Sequence, residues 1–216
     1  MDKKTEKNPN LTEPFMHKVR ELVPHLPSYI TTYNLTLSSA LWSTMVIYGA
    51  YKSQKNINWL YLSAIGIFFH IITDALDGAV GRYRNTGAVK WGYFMDHTMD
   101  ALIMISIAIG FALVLPQYKL YILILFGLEA LLFITAHLSL DDNGLDISTC
   151  YKGICFGATD TLFLQMFLFL YLIYTKGKLN KYFLIVLSIV LVVLNIMKIY
   201  EKQEKSHKID QEKMKK

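Results

Sequence analysis

A chain of 216 residues with 53% hydrophobic content, 18% charged residues and a mean hydropathy of +0.32 is too apolar for an ordinary soluble domain and reads as one membrane domain. The net charge of +5 and pI near 9.0 could suit nucleic acid, but the basic excess lies largely at the termini and in loops, which points to anionic lipid instead. Two cysteines, Cys150 and Cys155, are too few for a zinc site built on thiolates, and no structural disulfide is expected of them.

The first thirty residues are polar and include Pro9, Pro14, Pro24 and Pro27, so no cleavable signal peptide is expected. From Pro14 to His25, Phe15, Met16, Val19, Leu22 and Val23 alternate with Lys18, Arg20 and Glu21. That period suits a short amphipathic helix in the membrane interface, the alternative being a loosely ordered tail. Six apolar stretches follow: Leu35–Tyr51, Ile57–Ala75, Trp91–Leu115, Leu120–Leu138, Phe156–Tyr174 and Tyr182–Ile199. Each is near the twenty or so residues a helix needs to cross a hydrocarbon core of about 30 Å. Fourteen Tyr fit side chains at the membrane–water boundary. After Lys198 the chain is almost entirely charged and polar. The expected architecture is all-α: an N-terminal segment over 1–33 with its interfacial helix, a six-helix integral membrane bundle over 34–200, and a charged tail over 201–216.

An even number of spans puts both ends on one side. The termini and the loops on their side carry 16 of the 22 Lys and Arg, so the basic residues predict cytosolic termini in an inner or plasma membrane.

Chemistry concentrates where the second and third stretches meet. The run is Asp74-x-x-Asp77-Gly78-x-x-Gly81-Arg82, nine residues, then Gly92-x-x-x-Asp96-x-x-x-Asp100. Carboxylates three or four residues apart project from one face of a helix, so two adjacent helices can gather four acids at one point. A lone Asp near the bilayer centre costs roughly 2.5–3.5 kcal/mol, so positive charge must sit among them. Oxygen-only ligands suit hard cations such as Mg²⁺, Mn²⁺ or Ca²⁺. Gly78, Gly81 and Gly92 leave backbone uncovered for close approach of an anionic group, the first two also permitting positive φ in a turn. Arg82 is suited to bidentate contact with phosphate oxygens.

This run closely resembles the CDP-alcohol phosphotransferase signature, D-x-x-D-G-x-x-A-R followed by G-x-x-x-D-x-x-x-D, with Gly81 in place of the alanine. The resemblance extends to Thr31-Thr32-Tyr33-Asn34-Leu35-Thr36-Leu37, which is similar to the T-P-N-x-x-T-L entry of that family. It implies a six-helix membrane enzyme, commonly a homodimer, that displaces CMP from a CDP-alcohol with the hydroxyl of a second alcohol or lipid acceptor. It also implies two divalent cations, Mg²⁺ or Mn²⁺, on Asp74, Asp77 and Asp96, with Asp100 as metal neighbour and catalytic base. Asn34, Thr36, Gly78, Gly81, Arg82 and Gly92 would then contact the nucleotide. An Asp fully engaged with metal is a poor proton acceptor, so either Asp100 stands partly free or another group takes the proton. His97 is that candidate, and Asp96-His97-x-x-Asp100 resembles the D-H-G-x-D of the choline/ethanolamine branch. Phe156-Gly157-Ala158-Thr159-Asp160 is similar to the F-G-x-T-E of some relatives.

Other residues carry two readings each. Glu129 inside the fourth stretch is functional or merely paired. His70 reads as a hydrogen-bonded core histidine rather than a ligand. His137 is structural or binds the acceptor. Asp141-Asp142-Asn143-Gly144 reads as a turn rather than a calcium loop. The Asn34-Leu35-Thr36 sequon would face the cytosol and stay unglycosylated. Arg84 and Lys90 bind an acceptor phosphate or satisfy the positive-inside preference. The function expected is phospho-alcohol transfer in phospholipid synthesis, from CDP-diacylglycerol or from CDP-choline or CDP-ethanolamine. The rivals are a transporter binding cations on intramembrane carboxylates and an inactive scaffold of the same fold.

Overall fold

The computed structural model describes residues 11–86, 89–138, 149–151, 154–156, 158–187 and scattered positions of the helical stretch beyond. The Asp141–Gly144 turn, the charged tail and the side chains of Lys90 and His137 lie outside them. Six helices, α1 (Glu13–Arg20), α2 (Thr32–Ser53), α3 (Leu60–Arg84), α4 (Val89–Val114), α5 (Lys119–Leu138) and α6 (Ala158–Tyr174), account for most of the chain. The expected helical architecture gains one small exception: strands β1 (Thr149–Tyr151) and β2 (Ile154–Phe156) form an antiparallel hairpin with Cys150 opposite Cys155.

Helix α1 starts with Glu13-Pro14, an acid and a proline in the first turn, and ends on Lys18 and Arg20, charges that suit the helix dipole at both ends. Its apolar side meets protein. Met16 and Val19 are buried, and the Phe15 ring packs edge-on to Phe163 of α6 at 5.5 Å and tilted against Phe68 of α3 at 6.2 Å. The amphipathic pattern therefore serves to dock the helix on the bundle, while Leu22 beyond it remains exposed.

Helix α2 is capped by Thr31, whose hydroxyl accepts from the Asn34 N–H at 3.2 Å. It sits between α3 and α4, and besides Leu35 and Val46 the residues it buries are small: Thr36, Ser39, Ser43, Gly49, Ala50 and Ser53. Small residues at helical spacing let neighbouring backbones approach closely. At Gly49 a Cβ would stand 2.8 Å from both the Ser63 nitrogen and the Trp59 carbonyl oxygen, so α2 and the start of α3 touch backbone to backbone. Gly49→Ala should cost about 1–3 kcal/mol by overpacking. Gly127→Ala, where the added methyl meets nothing within 4 Å, should be neutral or slightly stabilising. Thermal unfolding of the two variants in one detergent checks the contrast.

Helix α3 corrects the expected end of the second stretch. It runs to Arg84, about two and a half turns past Ala75, so Gly78 and Gly81 lie within a continuous helix and not in a turn. The left-handed residue comes later, at Asn85 (φ 55°), which caps the helix. On the far side of the bundle the Phe111 and Phe169 rings stack at 4.2 Å and join α4 to α6.

Of the six expected spans, two are long and apolar enough to cross a bilayer among the described residues: Ile57–Arg84 and Trp91–Val114. Helix α2 has the length, but its polar stripe lowers its hydropathy, and the apolar part of α6 is short, Thr159–Tyr174. The sixth stretch is helical over 181–187.

Candidate active site

The four signature aspartates converge. Asp74 and Asp77 lie on α3, and Asp96 and Asp100 one turn apart on α4. The Asp74 carboxyl shares one cavity wall with Asp77 and Asp96. One ligand atom each from Asp96, His97 and Asp100 lie within 4.8 Å of one another. The His97 Nδ1 is 3.9 Å from Oδ2 of Asp96 and 3.9 Å from Oδ2 of Asp100, and its ring meets Tyr93 edge-on at 4.3 Å. Asp77 accepts a short hydrogen bond from the Thr36 hydroxyl, whose oxygen also lies 2.9 Å from the Thr32 carbonyl oxygen.

These acids open into a cavity of about 670 Å³ lined by Asp74, Asp77, Gly78, Gly81, Arg82, Gly92 and Asp96. The Arg82 guanidinium lies over Gly78, where a Cβ would come 3.1 Å from its Nη1. Any side chain at Gly78 would displace the one arginine that faces the acids from the signature. At Gly92 a Cβ would meet nothing within 4 Å, so that glycine provides open space on the cavity wall rather than close helix packing.

The sequence-predicted residues thus fall into three groups. Asp74, Asp77, Asp96, Gly78, Gly81, Gly92 and Arg82 line the cavity, and Asp100 and His97 adjoin it through Asp96. Thr36 reaches the site through Asp77. Asn34 points elsewhere: its Nδ2 donates to the Tyr29 carbonyl at 3.0 Å, which ties the start of α2 to the segment before it. Residues beyond the signature contribute as well. Arg20 and Met16 of α1, Thr32 and Trp91 line the same cavity, and Trp91 stacks on Tyr33 at 5.1 Å. Thr159 of α6 joins them, and its neighbour Asp160 accepts from the Thr12 N–H at 3.0 Å. Thr159 could have been found from sequence through its F-G-x-T setting, and Thr32 through the Thr31–Leu37 run. Arg84, read as an acceptor or topology residue, instead donates to four backbone carbonyls of residues 26–30. Glu129 accepts from the Gln165 amide at 2.8 and 3.0 Å, so it is hydrogen-bonded across to α6.

Gathered carboxylates facing a polar cavity need compensating positive charge, and among the described residues Arg82 supplies one unit against four acids, the other lining arginine, Arg20, being paired with Glu13 at 2.6 Å. The oxygen-rich donor set fits hard divalent cations, which accept carboxylate clusters of this kind. A helical bundle with a carboxylate cluster within two helices long and apolar enough to cross a bilayer, beside an arginine, places the chain among helical membrane proteins with an acidic site. Residues 24–196 match the CDP-alcohol phosphatidyltransferase family, and the chain belongs to it. An 85-residue segment is 29% identical to Cholinephosphotransferase 1 of Danio rerio, covering 39% of this chain and 22% of that protein. The chain therefore matches about a fifth of that relative's length.

Proposed function

We propose that this chain moves a phospho-alcohol unit from a CDP-alcohol to the hydroxyl of a second alcohol and releases CMP. The observation that carries the reading is the convergence of Asp74, Asp77, Asp96 and Asp100 beside Arg82 on one cavity large enough for a nucleotide diphosphate. In the reaction the acceptor oxygen forms a bond to the phosphorus distal to cytidine, and the bond from that phosphorus to the oxygen of CMP breaks. Divalent cations, when bound, would offset charge on the diphosphate and on the leaving phosphate. Asp74, Asp77 and Asp96 would hold them. The Thr36 hydroxyl fixes the Asp77 carboxylate, so that residue enters the site with one oxygen already oriented. Arg82, lying along Gly78, would pair with phosphate oxygens at the rim. The acceptor proton would pass to Asp100 or to His97, which stands between the Asp96 and Asp100 carboxylates.

The Asp96-His97-x-x-Asp100 run and the cholinephosphotransferase relative favour CDP-choline or CDP-ethanolamine as donor and diacylglycerol as acceptor, over CDP-diacylglycerol with a polar acceptor. We read the membrane domain as residues 34–200, the active site and both termini as cytosolic, and the assembly as a homodimer. Purified protein in lipid nanodiscs should release CMP from a donor and acceptor of one of these two pairings when Mg²⁺ or Mn²⁺ is present, and none in EDTA. Failure with every pairing, together with cation flux in liposomes, would replace the enzyme with the transporter.

A further inference from the structure

The geometry points to His70 and Ser39 as a buried positioning pair that fixes the orientation of Asp100. His70 lies on α3 four residues before Asp74 and is 1% exposed; Ser39, on α2, is 3% exposed. The His70 Nδ1 is 3.1 Å from the Ser39 Oγ. The His70 Nε2 makes no hydrogen bond and stands 3.6 Å from Oδ1 of Asp100 on α4. Three helices thus meet in the line Ser39, His70, Asp100.

The chemistry of the line sets its direction. Among the described residues the Ser39 hydroxyl has His70 as its hydrogen-bond partner. A hydroxyl that donates to Nδ1 leaves the neutral imidazole with its proton on Nε2, the atom that faces Asp100. A distance of 3.6 Å is too long for a hydrogen bond, and a buried N–H without a partner carries a desolvation cost. Both are relieved by a small rotation of the carboxylate onto Nε2–H. That rotation fixes Oδ1 on histidine and presents Oδ2, the oxygen near His97, to the site. Outer partners of this kind orient a carboxylate without touching the ligand, and their loss typically costs about 10–100-fold in metal affinity or activity. No change of charge on His70 is involved.

The inference rests on the proposed function, and its test separates the two. Equilibrium Mn²⁺ binding to purified, substrate-free protein is followed by the free-ion electron paramagnetic resonance signal, beside the Mg²⁺ dependence of CMP release. His70→Leu should raise the Mn²⁺ concentration for half-saturation about 10–100-fold and shift the Mg²⁺ requirement likewise. His70→Gln, whose amide N–H can replace Nε2–H, should return binding to within about threefold, and Ser39→Ala should fall between. Unfolding temperatures in EDTA identify any variant whose fold has failed. Wild-type Mn²⁺ binding in His70→Leu overturns the positioning role, and so does an equal loss in Leu and Gln variants. Asp96→Asn is the control for the broader reading: if it too binds Mn²⁺ normally and the wild-type protein releases no CMP, the transferase assignment is what fails.

Discussion

Asp96→Asn is expected to lower CMP release by about 10³-fold, ~4 kcal/mol of barrier, while the metal-free protein becomes more stable. The two effects follow from one geometry. Asp96 shares the cavity wall with Asp74 and Asp77 and lies beside Asp100, so without cations the cluster holds like charges together in a half-buried place. An isosteric amide removes one of those charges and can donate to its neighbour. The gain should appear as an unfolding temperature about 2–4 °C higher in EDTA for each kcal/mol of repulsion relieved. Mg²⁺ should then raise the unfolding temperature of the wild-type protein and fail to raise that of the variant, because a ligand stabilises only the state that binds it. An Asp96→Asn protein that unfolds earlier in EDTA, with activity lost in proportion, would mean that the acids hold the helices together instead.

The aspartates were legible from sequence because their spacing converts directly into a helix face, and a face with two acids needs a partner. The same rule failed for the end of α3. Hydropathy stops at Ala75, where Asp74 and Asp77 interrupt it, but backbone hydrogen bonds continue to Arg84 since neither acid nor glycine forbids a helix that packs against α2 and α6. Helix α1 was legible as amphipathic, whereas its partner was not. Periodicity places Phe15, Met16 and Val19 on one side without saying whether lipid, Phe68 or Phe163 covers them. His70 shows the same boundary. A lone histidine in an apolar stretch is legible as buried, but that Ser39 and Asp100 face its two nitrogens depends on the register of three helices, which no local pattern encodes.

The contacts of Arg84 were not legible from its charge, and its removal should have the second large effect. Its Nη1 donates to the Ile30 carbonyl at 2.5 Å and the Ser28 carbonyl at 3.4 Å, and its Nη2 to those of Leu26 at 2.8 Å and Pro27 at 3.1 Å. Those carbonyls belong to the irregular link between α1 and α2, where no helix ladder satisfies them. One planar guanidinium at the end of α3 therefore fixes the path of the chain into Thr31, and with it the rotation of α2 that brings Thr36 onto Asp77. Hydrogen bonds to a charged donor contribute about 1.5–3 kcal/mol each when buried, and these are only partly buried, so Arg84→Ala should free the link by about 2–4 kcal/mol in all. Trypsin cleavage at Lys18 and Arg20 would then quicken by about 30–1000-fold, since proteolysis follows the population of the opened segment. Arg84→Lys keeps the charge but cannot span four acceptors, so it should recover only part of the protection. CMP release should fall along with that protection, because α1 contributes Met16 and Arg20 to the cavity wall. If cleavage at Lys18 and Arg20 stays at the wild-type rate in Arg84→Ala, the burial of Met16, Val19 and Phe15 suffices to hold α1, and the arginine only covers carbonyls that water would otherwise satisfy.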